Sequence, residues 1–196
     1  ELIRQEGKII ERDKYLVVSS VSNPTYYWGN LLFFKEPPTL GDFAQWSTLF
    51  NAEFSQMDEV RHMTFAWDSP LGERGAIEEF VGSGFEFDEA IVLVAPEITP
   101  PKVQKNDIAI RRIESDEDWG KVLESQNFEC PPRIAEDDYR RFNGDHMQVQ
   151  RNLISRGAGF WLGAFLGEQL VGDLGIFAIN GCGRFQSVET HPDFRR

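Results

Sequence analysis

The sequence has few cysteines, and their spacing carries no metal or disulfide pattern. Cys130 and Cys182 are its only two cysteines, and they form no C-x-x-C pair. This excludes a disulfide framework or a structural zinc site of the usual spacing. His62, Asp68 and Glu73 also lack metal-ligand spacing. We therefore predict two free thiols and no metal site.

Long apolar runs are also missing. The longest, around Ala90 to Pro96, is far too short to cross a bilayer, and the charged N-terminus has no apolar segment of the signal-peptide kind. The simplest expectation is a cytoplasmic protein that does not associate with membranes. Apolar residues make up 41% of the 196 positions and include 16 Phe and 5 Trp, which is enough for an ordinary globular core.

Basic residues are outnumbered by acidic ones. With 20 Lys and Arg against 32 Asp and Glu, the formal net charge is −12. This disfavours a nucleic-acid partner, because phosphate backbones are bound through clustered Lys and Arg. The acidity instead favours a cationic partner such as an amine. One local basic pair, Arg195-Arg196, can still bind a small polyanion.

A Pro-rich polar segment from Ala95 to Asn106 divides the chain into regions of similar size. We predict an N-terminal region over residues 1–95, a linker over 96–106 and a C-terminal region over 107–196. In the N-terminal region, aromatic residues at helical spacing predict a helix over Leu40 to Phe54. A second helix is expected around Ala76 to Val81. Composition predicts strands at Tyr15 to Ser20, Gly29 to Lys35, Val60 to Trp67 and Phe85 to Val94.

The C-terminal region has a different order of elements. A strand over Ile108 to Ile113 precedes a helix over Asp116 to Gln126 that is capped by Ser115. Helical stretches are expected between Glu136 and Ser155. Three strands follow, at Gly159 to Leu166, Gln169 to Ala178 and Arg184 to His191. This order predicts an α+β fold whose sheet is mainly antiparallel and flanked by helices.

The end of the last strand carries a recognisable motif. Residues 188–196 read Val-Glu-Thr-His-Pro-Asp-Phe-Arg-Arg. This resembles the GNAT (Gcn5-related) N-acetyltransferases, in which Val-x-Pro-x-Tyr/Phe-Arg leads into Arg/Gln-x-x-Gly-x-Gly/Ala. The element order over 107–196 is similar to the first half of a GNAT domain, and the motif's glycines would come after Arg196. We therefore expect the chain to be a fragment or to complete its site by other means.

The N-terminal region is more faintly similar to a GNAT second half, with Gly84-Phe85-Glu86 entering its last predicted strand. It lacks the Arg/Gln-x-x-Gly-x-Gly motif. We interpret residues 1–95 as a degenerate GNAT-like half-domain without cofactor binding. An unrelated α/β cap is the alternative.

The resemblance implies transfer of an acetyl group from acetyl-CoA to a primary amine of a small molecule or peptide, in a direct ternary complex. Arg195 and Arg196 would form the cationic lip of the pyrophosphate site. The backbone of Val188, Glu189 and Thr190 would hold the pantetheine arm and direct an N–H at the acetyl carbonyl.

Acyl transfer to an amine requires a base that removes the ammonium proton. Strict alternation along the last strand would place Gln186, Val188 and Thr190 on one face and Ser187, Glu189 and His191 on the other. Glu189 is the candidate base, because burial raises the pKa of a carboxylate towards neutrality. His191 is the candidate proton relay. An ordinary sheet carboxylate and a histidine hydrogen-bonded to backbone are the alternatives.

Other interpretations stay open. The same fold can serve as a non-catalytic acyl-CoA-binding or protein-interaction domain. The two halves can also join as one circularly permuted domain, which predicts a compact monomer or a swapped homodimer with a shared sheet. On the helix from Glu136, His146 lies in line with Phe142, Val149 and Leu153, as expected for a histidine at the edge of a core, with a pocket role as the alternative.

Overall fold

The computed structural model describes residues 3–97, 99–100, 107–132 and 134–195. These residues form two compact units. The N-terminal unit comprises residues 7–97 and 99–100, and the C-terminal unit comprises residues 107–132 and 134–195 together with residues 3–6. The predicted α+β class is confirmed. Across the described ranges, no helix combines the length and apolarity needed to cross a bilayer.

The N-terminal unit is built on a four-stranded sheet in the order β1-β2-β3-β4. Neighbouring strands are antiparallel from β1 to β3, whereas β3 and β4 are parallel. Helix α2 connects the parallel pair, as a crossover must. The elements are β1 (Lys8–Glu11), β2 (Tyr15–Ser19), β3 (Leu31–Phe34), α2 (Asp42–Glu53), β4 (Phe65–Trp67) and α3 (Glu78–Gly82).

The core of this unit is largely aromatic. Trp46 and Phe50 of α2 are buried, as the predicted stripe requires. Trp46 stacks on Phe34 of β3 with ring centroids 3.5 Å apart. Phe80 of α3 meets Trp46 edge to face at 5.4 Å. The aromatic spacing along the sequence therefore identified both the helix and its inward face.

One predicted strand of this unit is wrong. Residues 85–94 form neither strand nor helix. Phe85 still packs against the core, but the apolar side chains of Ile91, Val92, Leu93 and Val94 are each at least 73% exposed. Apolar composition favours a strand, yet a strand exists only where a neighbouring strand accepts its backbone hydrogen bonds.

The C-terminal unit follows the predicted order closely. A four-stranded antiparallel sheet runs β5-β6-β7-β8. The helical stretches predicted between Glu136 and Ser155 form one continuous helix, and the strand predicted over Gly159 to Leu166 is confirmed. The elements are α1 (Ile3–Glu6), β5 (Ala109–Arg112), α4 (Asp116–Asn127), α5 (Glu136–Ser155), β6 (Gly159–Leu166), β7 (Gln169–Ile179) and β8 (Cys182–Thr190).

Helices α4 and α5 contribute to one core with the sheet. Trp119 and Val122 of α4 and Leu153 of α5 pack with Trp161 and Phe177 of the sheet. Burial of these large side chains is the main favourable contribution to folding of the unit. The helices therefore cover the face of β7 to which Phe177 points.

Local contacts define the start of α4. The Ser115 Oγ accepts the backbone N–H of Asp118, as predicted for an N-cap. Arg111 of β5 donates to both carboxylate oxygens of buried Asp118. This bidentate pair lowers the pKa of Asp118, with the Ser115 hydrogen bond as a smaller cause. The pair ties the helix to the edge strand of the sheet.

Candidate functional site

Strand β8, which carries the predicted motif, contains a β-bulge. Asp173 of β7 pairs with Glu189, but two residues further along β7, Gly175 pairs with Gln186. The extra residue in β8 is accommodated at Ser187, whose φ is 44°. Because paired residues share a face, Gln186 and Glu189 both point towards the helices. The prediction of strict alternation, which placed them on opposite faces, is therefore wrong.

The bulge is followed by a regular stretch of β8 that ends at an open edge. The N–H of His191 donates to the Val171 carbonyl, so the alternation of an antiparallel pair directs the Glu189 N–H towards β7 and the Thr190 N–H away from it. No described strand lies on the other side of β8. Val188 is 63% exposed there. The edge thus presents backbone groups of Val188 and Thr190, whereas those of Glu189 bond within the sheet.

Arg195 lies beside this edge with its guanidinium engaged. Its Nε donates to the Thr190 carbonyl at 2.7 Å, and its Nη2 lies 2.6 Å from a carboxylate oxygen of Glu129. A second carboxylate oxygen, from Glu189, lies 3.9 Å from the same Nη2. The hydrogen bond that Arg195 donates to the Glu129 carboxylate raises the pKa of Arg195, so this side chain stays cationic. Arg196, the other predicted pyrophosphate residue, lies outside the described residues.

His191 lies at the end of β8 and acts as a cap. Its Nδ1 accepts the backbone N–H of Asp193 at 3.3 Å and caps the short 3-10 helix Pro192–Phe194. The imidazole also contacts the rings of Phe128 and Phe194, with centroids 5.0 and 5.7 Å away. These contacts match the structural alternative for His191, a histidine hydrogen-bonded to backbone at a strand end.

The structure adds a residue that was not predicted, Asp173 of β7. This side chain is only 4% exposed. Its Oδ1 accepts the indole N–H of Trp161 at 2.9 Å, whereas its Oδ2 is buried without a hydrogen-bond partner. Burial raises the pKa of Asp173 to about 7, although the Trp161 hydrogen bond opposes this and the nearby charge of Glu189 adds to it. The carboxyl group therefore titrates near neutral pH.

A second buried polar group approaches the same face of β8 from α5. The amide nitrogen of Gln150 lies 2.9 Å from Nε2 of His146 and 3.5 Å from the Ser187 hydroxyl in the bulge. Gln150 is buried, and its Oε1 has no hydrogen-bond partner. Burial lowers the pKa of His146 to about 4, so its imidazole is neutral at physiological pH. The histidine at the core edge is thus part of a buried polar network.

These residues form a cluster, here called the β8 bulge cluster: Asp173, Glu189, Ser187, Gln150 and His146. Its charge is negative or neutral, and its unpaired buried atoms are hydrogen-bond acceptors. Such a set favours a ligand that brings positive charge and N–H donors. The sequence contained a signal for this cluster. The buried face of α5 consists of Asn143, Gln150 and Leu153, so two of its three buried residues are polar. Asp173 likewise interrupts an otherwise apolar strand.

Comparison with known proteins gives two structural likenesses. No protein-family model matches the sequence, and no curated protein matches it. A conserved protein of unknown function from Staphylococcus epidermidis ATCC 12228 aligns with 97% of this chain and 74% of its own, with 13% identity and a TM-score of 0.68. This likeness shows a shared fold and leaves the chemistry open.

The second likeness is partial. The PaiA N-acetyltransferase from Thermoplasma acidophilum, crystallised in complex with coenzyme A, aligns with 44% of this chain and 60% of its own. The identity is 18% and the TM-score is 0.37. This similarity is too low to indicate a function. Evidence for a function comes instead from the geometry of β8 and its surroundings.

Proposed function

We propose that this protein transfers an acetyl group from acetyl-CoA to a primary amine of a small molecule or peptide, in a direct ternary complex. The observation that carries this proposal is the juxtaposition of an open, bulged strand edge with a buried acidic cluster on adjoining strands. The edge suits the neutral, amide-bearing pantetheine arm of a thioester donor, and the cluster suits a cationic acceptor. The resemblance of residues 188–196 to the GNAT motif adds support from sequence.

Acetyl-CoA fits the edge chemically. Its pantetheine arm carries amide groups, which pair with an exposed strand as another strand would. In this protein the outward N–H of Thr190 and the exposed backbone of Val188 would hold the arm. Arg195, and Arg196 beyond the described residues, would lie towards the pyrophosphate. The bulge at Ser187 interrupts the ladder beside this stretch and gives the thioester end a place to approach the acidic cluster.

The reaction requires a proton acceptor on the amine side. The free amine nitrogen forms a bond to the acetyl carbon, the C–S bond breaks, and the thiolate of CoA leaves. The proton that the nitrogen loses after attack protonates this thiolate, so the products are the amide and the free thiol. The ammonium proton must pass to a base before attack. Glu189, whose side chain is 40% exposed and points to the helix face next to Asp173, is the proposed base. His191 caps a turn and is the weaker candidate for a relay.

A non-catalytic acyl-CoA-binding or protein-interaction domain is the second candidate. One observation favours it: the guanidinium of Arg195 is already bound by Glu129 and the Thr190 carbonyl. A pyrophosphate would have to compete with both partners. The candidates differ in what they do with the coenzyme: the enzyme binds it and releases its thiol in the presence of an amine, an acyl-CoA-binding domain binds it without turnover, and a protein-interaction domain does neither.

The role of the open edge can be tested by titrating acetyl-CoA calorimetrically into the full-length protein and two variants. Thr190→Pro removes the outward N–H, and proline is tolerated on an edge strand where its nitrogen faces away from the sheet. We expect it to weaken binding by about 5- to 10-fold, as for loss of one hydrogen bond. Thr190→Ala keeps the N–H and should bind as the wild type does. Equal binding by all three proteins would contradict the proposed edge contact.

A further inference from the structure

Two buried oxygen atoms on the helix-facing side of β7 and β8 have no hydrogen-bond donor. They are Oδ2 of Asp173 and Oε1 of Gln150, on side chains that are 4% and 3% exposed. Buried acceptors in native proteins are nearly always paired, so an unpaired one points to a missing partner. Here two such acceptors belong to the same cluster, and each lies on a side chain whose other end is fixed.

The fixed ends hold the free oxygen atoms in place. The indole N–H of Trp161 holds Oδ1 of Asp173 at 2.9 Å. The amide nitrogen of Gln150 is engaged between His146 and the Ser187 hydroxyl. In this arrangement the Gln150 amide nitrogen donates to Nε2 of His146, and the Gln150 oxygen is turned away from the imidazole. Both acceptors are thereby preorganised for an external donor.

We propose that Asp173 and Gln150 bind the primary ammonium group of the acceptor, an inference that rests on the proposed acetyltransferase function. An alkylammonium has three N–H donors and one positive charge. Two of these N–H groups would donate to Asp173 Oδ2 and Gln150 Oε1. The third would donate to the carboxylate of Glu189, at the exposed side of the cluster. Asp173 then orients the nitrogen, and Glu189 is left to accept its proton.

The charges around the cluster restrict the ligand further. Glu189 and Glu129 bring two carboxylate groups, and the guanidinium of Arg195, which lies between them, is paired with Glu129. A carboxylate next to the amine would therefore meet repulsion, which disfavours free α-amino acids. The cluster favours an alkyl primary amine without a neighbouring anion. A neutral alcohol of the same length lacks the charge that would offset burial of an ionised Asp173.

The test uses n-butylamine hydrochloride as the probe and the Trp161 indole N–H as the reporter, in protein labelled with ¹⁵N-tryptophan. Trp161→Phe assigns the resonance. At pH 8, n-butylamine should shift this resonance with a saturable dependence on concentration, and n-butanol should not. Asp173→Asn should weaken n-butylamine binding by about 10- to 100-fold, the scale of a hydrogen bond to a charged group. Gln150→Met should weaken it by about 5- to 10-fold.

A matched control and a second readout make the outcome decisive. Glu168→Gln changes the same charge in the exposed β6–β7 turn and should bind n-butylamine as the wild type does. An unchanged affinity in both Asp173→Asn and Gln150→Met, or an equal response to n-butanol, would overturn the inference. If acetyl transfer occurs and Asp173→Asn leaves the KM for the amine unchanged, the amine site is wrong and the proposed function stands. If n-butylamine binds through Asp173 but no acetyl transfer occurs, the amine site stands and the proposed function is wrong.

Discussion

At the scale of residues, the main finding is a carboxyl group that sequence patterns did not single out. Asp173 interrupts an apolar strand, and a lone acid in such a strand is a signal that can be recognised without a structure. Its significance depends on contacts that the sequence does not show, above all the Trp161 hydrogen bond and the pairing with Glu189. Glu189 was predicted as a site residue, and in the sheet it is paired with a second carboxyl group, that of Asp173.

Asp173 predicts a particular dependence of stability on pH. Its pKa is about 7 in the folded protein, compared with about 3.9 for an unfolded chain. The folded state therefore binds more protons between these values, so this group's contribution to stability is fully present below about pH 4 and is lost as pH rises through 7. Glu189 and His146 are the other titratable members of the cluster, and Asp173→Asn leaves both in place.

We expect Asp173→Asn to be more stable than the wild type above pH 7, by up to about 4 kcal/mol. The difference should shrink towards zero near pH 4. Urea denaturation of both proteins at several pH values between 4 and 8.5 measures it. A difference that does not change with pH would show that the carboxyl group titrates in the same range in the folded and unfolded states.

At the scale of elements, a long periodic pattern in the sequence predicted its helix well. Features that depend on which strands pair with each other were not predicted. The bounds of α5 follow from a long helical period. The strand expected at Phe85 to Val94 is absent because its apolar residues find no neighbouring strand. The β8 bulge was not predicted either, since it depends on the register with β7 rather than on the residues of β8 alone.

Close packing of the Trp161 indole of β6 against β7 explains why residue 175 is a glycine. A Cβ on Gly175 would lie within 2.6 Å of two ring carbons of Trp161. Gly175→Ala should therefore displace the indole that holds Asp173 and lower the free energy of unfolding by about 1–3 kcal/mol, as overpacking does. Thermal and urea denaturation measure this.

Gly144→Ala is the matched control for that substitution. Gly144 lies inside α5, and a Cβ there meets no atom within 4 Å. The same chemical change should raise stability by roughly 0.5–1 kcal/mol, because alanine is the better helix former. A loss of stability in Gly144→Ala, or none in Gly175→Ala, would contradict the packing described for this unit.

At the scale of the whole molecule, the acidity agrees with the proposed cationic acceptor. A net charge of −12 suits a cationic substrate, and the buried acceptors of the β8 bulge cluster give that preference a location. The sequence predicted the α+β class and the order of elements in the C-terminal unit. It did not predict that residues 3–6 belong to the C-terminal unit, because four residues of helix carry too little pattern. The interpretation of the chain as two GNAT-like halves stays a prediction.

The most direct test of the proposed function is acetyl transfer from acetyl-CoA to n-butylamine by the full-length protein, measured as free thiol and as N-acetylbutylamine by mass spectrometry. We predict amine-dependent thiol release, with one molecule of N-acetylbutylamine formed per thiol. Glu189→Gln should lower kcat by roughly 10²-fold, as for loss of a general base, with acetyl-CoA affinity nearly unchanged. Glu168→Gln should retain full activity. Binding of acetyl-CoA without thiol release at any amine concentration would contradict the enzyme and leave an acyl-CoA-binding domain.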